Sequence, residues 1–138
     1  MAKNVIIVGG GMVGTSLASM LLEKGYGVKV IEMERDELPR LQRDLLAKTV
    51  LPGDGTDPDV LEAAGIRAAD VVAATTGEDE TNLVVTSLAR FAFNVPRTVA
   101  RVNNPKNAWM FTPLMGVDVA VSQADMMARL IVKETAIE

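Results

Sequence analysis

The stretch Asn4 to Glu32, NVIIVGGGMVGTSLASMLLEKGYGVKVIE, decides how this chain folds. Its apolar opening, Asn4 to Val8, is short enough for a buried strand and is bounded at once by glycines. Gly9, Gly11 and Gly14 match the pattern G-x-G-x-x-G, and each glycine has a separate task. Gly9 allows a tight turn out of the strand, Gly11 lets backbone approach a pyrophosphate, and Gly14 lets the following helix press against the sheet. Leu17, Met20, Leu21 and Lys24 then recur at helical spacing, and Gly25 is placed to close that helix. A second strand, Val28 to Ile31, ends at Glu32. A glycine triplet alone is weak evidence, but a strand before it, a helix after it and an acid at the right distance make it specific.

The chemistry follows from that context. Around Met12, Val13, Gly14 and Thr15 the unpaired amides of the helix start and the positive end of its dipole can hold phosphate without a lysine. Glu32 can accept hydrogen bonds from ribose hydroxyls and would repel a 2′-phosphate. The pattern therefore favours NAD(H) or an adenine nucleotide (ATP, ADP or AMP) over NADP(H).

The 138 residues suffice for one domain with a real core. No apolar run approaches the roughly 20 residues of a membrane-spanning helix, so direct membrane insertion is not expected. The start carries no secretory pattern and the chain has no cysteine, so a cytoplasmic location is expected. A net charge of −4 without basic runs or aromatic platforms argues against nucleic acid. With neither histidine nor cysteine, the usual zinc ligands, the commonest general base and the strongest nucleophile are all missing. Neither a metal site nor catalytic residues are expected.

Beyond Glu32, Leu38, Leu41 and Leu45 mark an amphipathic helix with Pro39 in its first turn, and Arg35 stands near enough to Glu32 to be weighed as a nucleotide contact. Thr49 to Leu51 reads as a third strand, followed by Asp54 and Gly55 in a loop; Asp57 and Pro58 open a helix that Gly65 closes. Asp54, at a strand end, can hydrogen-bond an adenine amino group or a ribose, although an aspartate beside glycine also suits a plain turn. Ala69 to Ala74 forms a fourth strand running into Thr75 and Thr76, small polar residues able to bond ribose or phosphate. The helix Glu80 to Phe93 is apolar on more than one side and should be covered on two faces. Thr98 to Val102 is a fifth strand whose cation, Arg101, calls for a carboxylate or a nucleotide phosphate. A helix over Lys106 to Leu114 would expose Trp109, Met110 and Phe111 together. Val117 to Val121 is a sixth strand, and Ser122 caps a last helix, Ala124 to Ala136, with Met126, Met127, Leu130, Ile131 and Ile137 as apolar groups. So much apolar surface on the late helices points to association with a second copy.

Six strands alternating with helices predict an α/β, Rossmann-like, doubly wound parallel sheet of order 3-2-1-4-5-6, with a ligand at the switch point between strands one and four. An NAD-dependent oxidoreductase's cofactor domain would share this pattern, as would a nucleotide-binding adaptor. More specific are GDGTDPDVLEAAGI, ADVVAATTGEDETNLV, TVARVNNPKN and GVDVAVSQ. With VIIVGGGMVG and VIE, they make the chain resemble, over almost its whole length, the Trk/Ktr-type regulators of potassium transport, the KTN or RCK domains. The resemblance implies that residues 1–121 bind a nucleotide that is sensed rather than consumed, with Gly9, Gly11, Gly14, Glu32, Asp54, Thr75 and Arg101 in contact. It implies that residues 122–138 form a crossover helix pairing with another subunit. Such domains assemble as dimers, often in rings of eight, on the inner face of the membrane beneath a potassium channel or transporter. Two departures stand out. Some ATP-responsive relatives place an arginine where this chain has Met12, and full regulators usually continue into a C-terminal lobe, so a natural short subunit or an excised domain is expected.

Overall fold

The computed structural model describes residues 3–135. Its centre is a six-stranded sheet in the order β3-β2-β1-β4-β5-β6, parallel throughout. The strands are β1 (Asn4–Val8), β2 (Gly27–Glu32), β3 (Val50–Pro52), β4 (Val71–Ala74), β5 (Arg97–Val102) and β6 (Val119–Ser122). The connecting helices are α1 (Met12–Glu23), α2 (Leu38–Asp44), α3 (Pro58–Ala63) and α4 (Asp79–Ser87), and α5 (Gln123–Thr135) follows the last strand.

Alternation along β1 explains the two layers. Val5 and Ile7 face one side, where Ala18 of α1 and Leu41 of α2 are buried; Ile6 and Val8 face the other, with Leu61 of α3 and Leu83, Val85 and Ala89 of α4 and its extension. Both faces are covered, as a parallel sheet requires. Because α1 and α3–α4 lie on opposite faces, the chain leaves β1 and β4 in opposite directions and opens a crevice between their carboxyl ends.

Most expected elements stand within a residue or two of their positions, and three differ. Over 88–92 the helix begun by α4 widens into a π-turn, with Phe93 N–H donating to the Leu88 carbonyl; within this chain Ala89 is buried against the sheet while Val84 and Phe91 are exposed on the face the sequence assigns to a partner subunit or another domain. The expected α-helix over 106–114 is instead two 3-10 turns, Pro105–Met110 and Pro113–Met115. Pro113 forces Thr112 into an extended conformation (φ −128°, ψ 167°) and ends the first turn. Phe111 is thereby directed into the core at 6% exposure, Met110 is half-buried, and Trp109 is the exposed member of the trio at 75%. The sixth strand starts later than expected because Val117 is a buried core residue ahead of it. Ser122 Oγ does accept from Asp125 N–H at 3.1 Å, capping α5. Ala136 and Ile137, assigned to the last helix by their sequence, lie outside the described residues.

Candidate functional site

Register decides what meets in the crevice. Val8 pairs with Ile31 and Ala74, Ala74 with Ala100, and Glu32 with Pro52. One step further along, Glu32, Gly9, Thr75 and Arg101 lie in a row across four strand ends. Three inter-strand spacings carry that row over ~14 Å, about the reach of a nucleoside diphosphate. A cleft of about 450 Å³ opens above it, lined by Gly9, Gly11, Glu32, Asp54, Gly55, Thr75, Thr76 and Arg101 among others. Of the residues singled out in the sequence, Met12, Val13 and Gly14 do not line it, nor does Arg35. Met12 projects outward at 86% exposure.

The glycines divide by what surrounds them. Gly9 has φ +105° and packs so tightly on Thr75 and Thr76 that a Cβ would stand 2.9 Å from Thr76 N. A Cβ on Gly14 would fall on the Gly9 carbonyl, and one on Gly55 would fall on Val8. Gly10, outside the motif, is equally confined: its Cβ would meet Leu41 Cδ1 at 2.5 Å. Gly11 alone of the loop has no protein atom within 4 Å of a Cβ, although it lines the cleft. Packing within the domain does not call for a bare backbone there; a ligand against it would.

Glu32 is buried, and its two carboxylate oxygens accept from Gly10 N–H at 2.7 Å and Glu34 N–H at 2.8 Å. It therefore ties the glycine loop to the end of β2, and each oxygen retains a lone pair for a further donor. Asp54 Oδ1 accepts from the Thr56 N–H at 2.9 Å and hydroxyl at 2.7 Å. Those bonds, the backbone one foremost, hold its carboxyl below the usual range and keep it ionised. Arg101 forms no ion pair among the described residues, neither with Glu32 nor with Asp54. Glu34, Glu37 and Glu78 also line the cleft, so five carboxylates surround it against one guanidinium.

Beneath the Thr76 side of the cleft lies a polar network that sequence reasoning missed. Asn82 is fully buried; its Oδ1 accepts from Thr76 N–H, and its Nδ2 donates to the carbonyls of Thr76 and Arg101. Asp79, buried in the first turn of α4, accepts from Asn103 N–H at 2.6 Å, Asn104 N–H at 3.0 Å and Asn107 Nδ2 at 2.8 Å. These bonds lock the ends of β4 and β5 together. The only signal for them in the sequence is the density of Asp and Asn in EDETN and NNPKN.

A family model described as TrkA-N domain matches residues 5–123. The chain belongs to the TrkA-N domain family. Over 132 residues this TrkA-N domain is 41% identical to the Trk system potassium uptake protein TrkA of Mycobacterium tuberculosis (strain ATCC 25618 / H37Rv), a match covering 92% of the chain and 57% of that protein. It is 41% identical over 118 residues to a TrkA homolog of Methanothermobacter thermautotrophicus, covering 86% of the chain and 53% of the homolog. The chain thus spans little more than half the length of these relatives. Among solved structures, the GsuK RCK domain superimposes with TM-score 0.80 at 28% identity, over 97% of this chain and 29% of that one. GsuK has also been solved bound to NAD (TM-score 0.79, 28% identity, 94% of this chain and 22% of that one) and bound to ADP (TM-score 0.79, 28% identity, 94% and 32%).

Proposed function

We propose that this domain is the nucleotide-sensing part of a potassium uptake regulator, binding NAD(H) or an adenine nucleotide in the cleft above β1 and β4. The observation that carries the reading is Gly11: a bare backbone lining the cleft, which no packing within the domain demands. The kinship with proteins named for Trk potassium uptake, and with a channel solved bound to NAD and to ADP, supports the choice of ligand and of process. In the proposed pose the diphosphate rests on the amides at the start of α1, the ribose meets Glu32, Asp54 and Gly55 bound the adenosine end, and Thr75, Thr76 and Arg101 bound the other side. Met12, Val13 and Gly14 contribute amides rather than side chains.

The nucleotide is sensed, not consumed: no histidine or cysteine is available for acid–base or thiol chemistry. Occupancy shifts the geometry of paired domains, α5 joining two copies in a dimer or a ring of eight, and the movement reaches a potassium channel or transporter in the membrane. The domain itself works in the cytoplasm, against the inner face of the membrane through that partner. A coupling of about 1–3 kcal/mol per site suffices, provided the nucleotide contacts the two states differently.

Titration calorimetry with NAD, NADH, ADP, ATP and AMP tests the binding. At least one should bind with a defined stoichiometry, and silence from all five would remove the reading. Flux through a reconstituted membrane partner should then respond to that nucleotide. Steady oxidation of NADH by the domain with carbonyl acceptors would instead make it an enzyme's cofactor domain.

A further inference from the structure

The Gly10–Gly11 peptide is held from one side by a residue that lies outside the glycine motif and outside the cleft. Arg40, on α2, donates through Nη2 to the Gly10 carbonyl and through Nη1 to Thr15 Oγ1 at 3.2 Å. Thr15 Oγ1 itself donates to the same carbonyl at 3.1 Å. From the opposite direction, Glu32 Oε1 accepts the Gly10 N–H, while Leu41, next to Arg40, packs where a Gly10 side chain would be. Gly10 is therefore gripped by β2, α1 and α2 together, in the middle of a run of three glycines whose backbone is intrinsically permissive.

A trans peptide is rigid and its C=O and N–H point in opposite directions. Holding the Gly10 carbonyl toward Arg40 consequently aims the Gly11 N–H away from α2. That N–H donates to no protein acceptor among the described residues, and Gly11 lines the cleft. Arg40 is not there as a free positive charge, since Glu37 at 3.6 Å and Asp44 at 3.8 Å balance it. What it supplies is direction: a planar, forked donor that fixes two acceptors at once.

We infer that Arg40 is the positioning residue of the phosphate loop, fixing the Gly10–Gly11 peptide plane so that the Gly11 N–H is presented to the phosphate of a bound nucleotide. This rests on the nucleotide reading above and adds to it a residue that never touches the ligand. A role in general stability would weaken every ligand alike. Positioning of one amide affects only ligands that carry phosphate there.

The test compares ADP, NAD and adenosine by calorimetry on the wild-type chain, Arg40→Met and Arg40→Gln, together with the residual dipolar coupling of the Gly11 N–H in ligand-free protein. Arg40→Met should weaken ADP and NAD by about tenfold, the worth of one oriented hydrogen bond to phosphate, and leave adenosine unchanged. The Gly11 coupling should change while those of α1 stay the same. Should Arg40→Met fail to fold, Arg40→Gln, too short to span both acceptors, carries the same expectation. Equal loss for all three ligands, or unchanged ADP affinity, overturns the inference. If the wild type binds no nucleotide, the functional reading falls by itself. The Gly11 coupling then decides separately whether Arg40 holds the peptide: a change upholds that hold, and an unchanged coupling overturns it.

Discussion

Gly11 and Gly14 belong to one motif, yet substitution should separate them completely. Gly11→Val adds a side chain into space free of protein atoms, so stability should stay within about 1 kcal/mol of wild type. ADP binding should fall by roughly a hundredfold as close approach to the loop amides is lost. Gly14→Ala would drive a Cβ into the Gly9 carbonyl and should cost ~1–3 kcal/mol of folding stability, measured by urea denaturation. Asp79 provides a second residue-scale test. Burial, the largest single influence, pushes its carboxyl upward, but the hydrogen bonds from Asn103, Asn107 and Asn104 together bring it below its ordinary 3.8. A depressed carboxyl lends its stability above the unfolded value and loses it as pH falls through the folded one. Stability should therefore decline as pH drops below about 3.8, and that part of the decline should vanish in Asp79→Asn, which at neutral pH costs ~2 kcal/mol because an amide N–H₂ would face other donors. That Gly9, Gly11, Glu32 and Asp54 gather at one cleft was legible in the sequence, because a glycine loop and strand-end acids fall at the carboxyl ends of neighbouring strands. Arg40 and Asn82 were not, since their partners lie 30 and 19 positions away and only the folded chain brings them close.

Among the elements, strands and their order were legible because apolar runs alternating with capped helices admit few topologies. Irregular pieces were less so. The segment 105–115 has the apolar content of a helix, but Pro113 and the pull of Phe111 into the core break it into separate turns. Conversely, α5 is a regular helix with no buried residue, and Met126 and Met127 stand one turn from Leu130 and Ile131 on an exposed face. A lone helix of 13 residues is marginal in water without packing on its apolar face. With α5 pairing two copies as proposed, Leu130→Asp should yield a monomer in sedimentation equilibrium where the wild type is a dimer, and leave ADP affinity within about twofold, since α5 lies outside the cleft.

Taken whole, the molecule is a sheet with two covered faces and a cleft at the carboxyl end of its strands. Its architecture could be read from 138 letters because each βα unit announces itself locally, whereas the cleft's polarity is a property of residues gathered from five connections. That polarity has a consequence for the electrolyte around the protein. Phosphate sites rich in lysine and arginine release their ligands as salt rises. Here a nucleotide anion approaches Glu32, Glu34, Asp54 and Glu78, with Arg101 as the cation in the cleft lining and Glu37 already paired with Arg40, so mobile ions screen a net repulsion. Raising KCl from about 10 to 150 mM shrinks the Debye length from roughly 30 to 8 Å and should tighten ADP binding instead of loosening it. Calorimetry across that range reads the sign directly, and a sign opposite to that of a basic phosphate pocket would make the ionic medium itself one of the things to which this domain responds.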